Sequence, residues 1–421
     1  VTIHSDDSGS TKQERAVVYL MAGVQFVNVL DFMMVNPLGP QLAEDPSMRV
    51  PASQLPLVMG SYTAAASVTG VLGSLFLERF DRRSALVVTL VGLAVGTAMG
   101  GLAQGLTSLI VARVVAGLFG GPATSLAFAI VSDAIPSRRR GWGMGIVMGG
   151  FAVASVLGVP AGLNLAKLGG WRTPFWGVAA LIAIAAIAAL RLLPPLRAHL
   201  ERATADPSPV SSLVAIVKKP VVALSLAMTA LTMTSVFIVI PNIPAFVQFN
   251  LGFQHLDLLY LLGGVMSFAT TRVVGPQVDR FGSTRVAFAA SALVVVIVYM
   301  WFVAEVSAVP VLVVSTLFFL AMSARGVSYN TLTSKVPEPH ERARFQSVQS
   351  AVQHAASAAA AFASAQLLSE GPDHRLLHVA RAGIVSIVLV AFVPVLMTLV
   401  ERQVRRRGST TDRPPPAEPA A

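Results

Sequence analysis

The chain has 421 residues, 54 % of them hydrophobic and only 12 % charged, and its mean hydropathy is +0.69. A soluble protein carries about 25 % charged residues, so a soluble fold is excluded and a membrane protein is expected. The absence of cysteine removes disulfides, thiolate metal sites and cysteine nucleophiles.

The first apolar run, residues 16–36, is long enough to cross a ~30 Å hydrocarbon core as helix. It has no small-residue cleavage site, so a retained helix is expected rather than a signal peptide. Eleven similar runs follow, at 55–77, 84–106, 107–131, 142–168, 173–190, 221–249, 256–278, 286–304, 309–332, 345–368 and 377–400. They are too long and continuous for the alternating strands of a membrane barrel. The expected class is an all-α membrane protein with twelve transmembrane helices.

The net charge of +10 would suit nucleic acid, but the basic residues sort by loop. With the N-terminus taken as cytoplasmic, 23 of the 31 Lys and Arg lie in the terminal segments and even-numbered loops. Five lie on the other side (Arg49, Lys167, Arg172, Arg375, Arg381) and three inside the runs (Arg113, Arg272, Arg325). This positive-inside asymmetry places both termini in the cytoplasm, and no nucleic-acid partner is needed to explain the charge.

The first run contains Asp31, the one acid set well within a span, because Asp257 and Glu305 sit at run ends. A charge at mid-bilayer costs roughly 2.5–3.5 kcal/mol, which makes each one a functional candidate. Asp31 lies about 8 Å below the end of its run, and Arg113, on the oppositely directed fourth run, about 10 Å below the same boundary. Two readings are open for this pair. A conformational change that alters their separation or hydration would switch the proton affinity of Asp31; alternatively a permanent ion pair fixes helix packing. Gln25 and Asn28 fall within roughly 120° of Asp31 on a helical wheel, and with Phe32 they are candidate substrate contacts.

After the second run comes Glu78-Arg79-Phe80-Asp81-Arg82-Arg83, and after the eighth Asp279-Arg280-Phe281-Gly282-Ser283-Thr284. The offset from Glu78 to Asp279, 201 residues, also separates Pro136 from Pro337. Two landmarks at one spacing indicate duplicated halves, the architecture of alternating-access carriers. The expected organisation is a cytoplasmic tail at 1–15, a six-helix bundle at 16–191, a polar linker at 192–220, a second bundle at 221–400 and a disordered cytoplasmic tail at 401–421. An acid near a helix N-terminus and an Arg cluster that bridges helix ends make Glu78, Arg79, Asp81, Arg82, Arg83, Asp279, Arg280 and Gly282 candidate gating residues. The bland alternative is that they stop helices and set topology.

In the fifth run Gly141, Gly145 and Gly149 form one row at i, i+4 spacing, and Gly150, Ala154, Gly158 and Gly162 another, with Pro160 between the last two. Such rows let a second helix approach closely. The seventh run carries Thr229, Thr232 and Ser235 before Pro241-Asn242-Ile243-Pro244, where a broken helix frees carbonyls that must face protein or water; Asn242 is a further substrate candidate. Arg272 and Arg325, near the inner ends of their runs, are assigned to gating or structure. The eleventh run presents Gln346, Gln349, Gln353 and His354 as one polar stripe, with Gln353 and His354 near the midplane. The three amides are substrate candidates, and His354 could titrate near neutral pH and join a proton path.

The acidic-Arg pattern between the second and third runs, Arg113-Val-Val-Ala-Gly117, the Gly/Pro-rich fifth run and Trp171-Arg172 together resemble the drug:proton antiporter branch of the major facilitator superfamily. The resemblance spans residues 16–400. The family's first loop motif has glycine four residues before the acid; Gly275 and Asp279 obey this, whereas the first copy has Ser74. Val159 separates Gly158 from Pro160, which is more like the sugar- and drug-efflux members than the tetracycline type. The resemblance implies a proton-coupled exporter of small amphipathic compounds, monomeric, in a bacterial-type inner membrane, with protons and a small-molecule substrate as partners. A sugar or metabolite exporter and a non-transporting membrane sensor remain alternatives. No Walker A pattern, metal cluster or nucleophile–base set is present, so no cofactor and no enzymatic reaction are expected.

Overall fold

The computed structural model describes residues 12–76, 80–136, 138–196, 214–305, 310–338 and 341–411. Among them twelve long helices run back and forth: α1 (Lys12–Met34), α2 (Leu55–Phe76), α3 (Arg82–Gly101), α4 (Leu106–Ala134), α5 (Arg140–Gly169), α6 (Arg172–Leu192), α7 (Pro220–Asn250), α8 (Leu256–Phe281), α9 (Ser283–Val303), α10 (Val311–Thr333), α11 (Arg342–Leu367) and α12 (Val379–Thr411). Ten are long and apolar enough to cross a membrane; α2 and α11 make up the remaining pair, at 22 and 26 residues. A helix is present at every expected run. The last helix runs on to Thr411, past residue 401 where the tail was expected to start. Most of the linker, residues 197–213, and the end of the tail lie outside the described residues, as do Glu78 and Arg79.

Prolines shape two of the rods. A proline ring clashes with the carbonyl four residues back and offers no N–H to it, and α5 answers with a wide π turn at Ala154–Gly158 ahead of Pro160. In α7, Pro241 and Pro244 tighten the helix to a 3₁₀ turn at Ile240–Asn242, the break expected there. Pro276 and Pro394 are carried inside α8 and α12 without a break.

Helices α1–α6 pack among themselves, as do α7–α12, and two seams join the halves: α2 against α11, and α5 against α8. Outward faces are apolar, as Val88, Ile184, Phe288 and Phe392 illustrate. Of the two glycine rows on α5, only one packs as expected. A Cβ at Gly150 would lie 2.7 Å from Ala22 O, one at Gly158 2.8 Å from Leu30, and one at Gly162 3.4 Å from Met34, so this row seats α1. Gly149, with Gly141 and Gly145, meets nothing within 4 Å; its expected packing role is corrected, because the fifth helix turns that row away from α1.

Across the face opposite the chain ends the halves are tied. Asn36 Nδ2 donates to Ile240 O (3.2 Å), Gln248 to Glu44 (3.0 Å) and the Ala52 N–H to Glu370 (2.6 Å), while Lys167 pairs with Asp257 at 2.9 Å. A two-stranded ribbon, Ser369–Glu370 with Leu376–Leu377, carries Glu370 to this tie. Along the α5–α8 seam a Cβ at Gly264 would lie 2.9 Å from Ser155 O, whereas Gly145 and Gly149 on α5 and Gly275 on α8, toward the chain ends, face open space. The seam is thus packed on one side and separated on the other.

Candidate functional site

Asp31 and Arg113 meet. Their side chains form a two-pronged ion pair, Arg113 Nη1 to Asp31 Oδ1 at 3.0 Å and Nη2 to Oδ2 at 2.8 Å, with Asp31 0 % and Arg113 1 % exposed. The equal depths read from opposite helix directions are those of an actual contact. Planar guanidinium and carboxylate match edge to edge. Removal of two charges from water costs several kcal/mol per ion, so the surroundings are built to offset it. Thr97 Oγ1, on α3, lies 2.7 Å from Asp31 Oδ1 and 2.8 Å from Leu93 O, and its single proton can serve one of these acceptors at a time. The Tyr62 ring lies 4.7 Å from the Arg113 guanidinium carbon, a cation–π contact worth more in a dry interior than at a surface.

A second polar layer holds that ring. Tyr62 donates to Asn28 Oδ1 (3.3 Å), and Asn28 Nδ2 reaches Gly120 O (3.1 Å) and Thr124 Oγ1 (2.7 Å). Gly120 is required here, since a Cβ would sit 2.1 Å from the Tyr62 hydroxyl oxygen. Phe32 packs on Tyr62 at 5.3 Å between ring centroids, and Gln25 is buried with its Oε1 lacking a hydrogen-bond partner among the described residues. The sequence-level candidates Gln25, Asn28, Phe32, Asp31 and Arg113 therefore lie in and around one cluster. Thr97 and Tyr62 were not singled out from sequence, because a lone hydroxyl in an apolar run carries no signal until a partner is opposite it.

The C-terminal half has a different polar cluster. Gln349 and Gln353 both donate to the Tyr329 hydroxyl oxygen, at 2.6 and 3.3 Å, which leaves the tyrosine proton for Thr229 at 2.8 Å. Gln346 is exposed and His354 half-buried on the same helix, so the predicted stripe divides: two amides converge on Tyr329 and the other two residues do not join them. Asn242 donates to Ile238 O (3.1 Å) and Ser364 Oγ (2.7 Å), which ties the break in α7 to α11, and its Oδ1 has no hydrogen-bond partner among the described residues.

Arg325 is 2 % exposed and reaches Ser235 Oγ at 3.3 Å and Met322 Sδ at 3.8 Å, because α10 turns this face onto α7. Arg272 is exposed, its guanidinium 4.9 Å from the Phe268 ring.

At the terminal face the loop candidates brace their own halves. Asp81 accepts from the Leu196 N–H (2.7 Å) and the Ser84 hydroxyl (3.1 Å). Burial raises its pKa, but these donors and neighbouring backbone N–H groups outweigh burial and hold the carboxyl below its usual range. Arg82 pairs with Asp133 at 2.6 Å, and Arg83 donates to Leu190 O. In the second half Asp279 is exposed and Arg280 covers the Phe281 ring at 5.2 Å. Gly282, at φ +91, makes the turn into α9, where Thr284 donates to Glu401.

An apolar groove of about 470 Å³ lies between α2, α4 and α11, bordered by Ser61, Val68, Val114 and Phe362, and neither Asp31 nor Arg325 lines it. No group of three or more metal-ligating side chains occurs among the described residues.

Known proteins place this arrangement. The Major Facilitator Superfamily profile matches residues 21–361. A chloramphenicol resistance protein of Streptomyces lividans is 27 % identical over 285 residues, 66 % of this chain and 70 % of that protein. A probable sugar efflux transporter of Pasteurella multocida is 26 % identical over 219 residues, covering 52 % and 51 %. Among solved structures, a bacterial homologue of the human lysosomal transporter Spinster, inward-facing and unoccupied, superposes with TM-score 0.70 at 15 % identity over 97 % of this chain and all of that one. The nucleoside transporter NupG superposes at 0.72 and 11 % identity, over 92 % and 100 %. With the profile covering most of the chain and the twelve-helix fold in place, the protein belongs to the major facilitator superfamily of membrane transporters.

Proposed function

We propose that the protein is a proton-coupled exporter of small amphipathic compounds that works by alternating access, with the face bearing the chain ends in the cytoplasm of a bacterial-type inner membrane. The observation that carries the coupling step is the buried Asp31–Arg113 pair, 2.8 Å at its closest, on helices α1 and α4. In this arrangement the Asp31 carboxyl is doubly held by Arg113 and shut off from water. A conformer that separates the two and admits water gives Asp31 access to a proton, because the guanidinium that occupied both carboxyl oxygens has left.

The residues around the pair suit both protonation states. When Asp31 is ionised, the Thr97 hydroxyl can donate to it; when Asp31 is protonated, its own O–H can donate to Thr97, whose proton then turns to Leu93 O at 2.8 Å. Arg113 released from the carboxylate still faces the Tyr62 ring. The half-buried His354 is a second candidate for the proton path, and Gln25, Asn28, Phe32, Gln346, Gln349 and Gln353 are proposed to border the substrate route. The loop residues Asp81, Arg82, Arg83, Asp279, Arg280 and Gly282 are proposed to brace the terminal face as the halves rock.

The chloramphenicol resistance relative supports an export reading, and the resemblance noted in the sequence supports proton coupling. The sugar efflux relative and the amide-rich α11 favour a second reading, export of a neutral polyhydroxy metabolite through the same fold. The test is transport in proteoliposomes under an imposed pH gradient, with chloramphenicol and a sugar panel as solutes. Asp31→Asn is expected to abolish gradient-driven accumulation while leaving downhill exchange; undiminished accumulation in that variant would remove the coupling role.

A further inference from the structure

Among the described residues Arg325 is a buried cation without an anion. Its guanidinium has five N–H donors, and its contacts within the chain are one serine hydroxyl and one thioether. Helices α7, α9, α10 and α11 contain no acidic residue at all, and the acids of α8 and α12, Asp257, Asp279 and Glu401, lie toward helix ends. Asp257 is already paired with Lys167, and Glu401 with Arg405 and Thr284. A buried charge persists where it is paired and hydrogen-bonded, and an intramembrane arginine without a partner marks a ligand or ion path.

The surroundings continue the same chemistry. One turn along α10, on the face of Arg325, Tyr329 gathers Thr229, Gln349 and Gln353, and the two glutamines are partly exposed. Tyr329 and Arg325 thus lie one turn apart on α10, each hydrogen-bonded to α7, with no carboxylate among the partners of either. In the other half Asp31 is consumed by Arg113, so neither cluster presents a free carboxylate to a cation. The lining is short of negative charge, not of positive.

We propose that the C-terminal half binds an anionic group at Arg325, either the carboxylate of a transported amphipathic acid or a small inorganic anion such as chloride held as a counter-ion. The α10 arginine supplies the charge, and Ser235 orients it. The site goes beyond the proton-coupling reading and does not depend on it.

The test uses the full chain purified into lipid nanodiscs, with thermal unfolding followed as isethionate is replaced at constant ionic strength by chloride or by benzoate. The wild-type midpoint is expected to rise saturably, and Arg325→Gln, which keeps a donor toward Ser235, is expected to lose that rise. Ser235→Ala is expected to keep it, since the charge remains. A response to benzoate alone assigns the site to a substrate carboxylate, and a response to chloride as well assigns it to a small counter-ion. An equal response in Arg325→Gln, or no saturable response in the wild type, overturns the proposal. Asp31→Asn is expected to retain the anion response, so a failure of proton coupling and a failure of anion binding are read separately.

Discussion

The two halves of this transporter solve the problem of an intramembrane arginine in opposite ways. In the N-terminal half Arg113 has its carboxylate at 2.8 Å, a threonine hydroxyl beside that carboxylate and a tyrosine ring against its guanidinium. In the C-terminal half Arg325 has a serine at 3.3 Å and a sulfur at 3.8 Å. At the 201-residue offset of the loop landmarks, Asp31 corresponds to Thr232 and Arg113 to Val314, so duplication preserved the scaffold while the ion pair is confined to one copy. One half therefore carries a neutral ion pair and the other a standing positive charge.

The contrast is most severely tested by removing one charge at a time. Arg113→Leu strands a buried carboxylate and is expected to cost about 3–5 kcal/mol of stability, with Asp31→Ala/Arg113→Leu recovering most of the loss. Arg325→Leu, measured without added small anions, removes a charge that had no partner and is expected to be neutral or stabilising. Equal losses in the two arginine variants, by thermal unfolding in nanodiscs, would erase the distinction between the halves.

A smaller effect separates the two glycine rows of α5. Gly150→Ala drives a methyl into the α1 backbone, 2.7 Å from Ala22 O, and overpacking of this kind costs about 1–3 kcal/mol. Gly149→Ala has open space and gains helix propensity, so its unfolding midpoint should stay level or rise by an amount worth up to about 1 kcal/mol.

Smaller again is the tie across the closed face. Lys167 and Asp257 are 46 % and 23 % exposed, and pairs of this kind contribute about 0–1 kcal/mol. The chain lacks cysteine, so spin labels at Ser47→Cys and Asp373→Cys report this face without background. Lys167→Ala should add a minor population of longer label distances, and an unchanged distribution would place the tie in the Asn36 and Glu370 contacts instead.

The least effect is expected from acid at Asp81. Its carboxyl is held below the usual range in the folded chain, so its contribution is present above the ordinary carboxylate pKa of about 4 and is lost as pH falls through the folded value. Asp81→Asn should flatten the acid limb of the unfolding midpoint by lowering it slightly at pH 7, so that variant and wild type converge as pH falls.

Much of the fold was legible because a bilayer imposes length and hydropathy on each span independently of its neighbours. Asp31 and Arg113 were legible for a related reason: charges at matching depth on opposite helices are rare enough to point at each other. Tyr62, Thr97 and Tyr329 were not, since a hydroxyl acquires meaning only from the helix facing it. The row at Gly149 finds no partner and the stripe through Gln346 divides for the same cause, because periodicity gives a face but not what covers it.

The amino-acid sequence by itself determined twelve spans, two repeated halves and one acid at depth, all consequences of the cost of polar groups in hydrocarbon. The tertiary structure alone decided that Asp31 closes on Arg113, that Gly150 rather than Gly149 seats α1, and that Arg325 lies buried with no counter-charge among the described residues. Those outcomes depend on helix rotation and on the neighbour met across each seam, and a single helix carries no record of either.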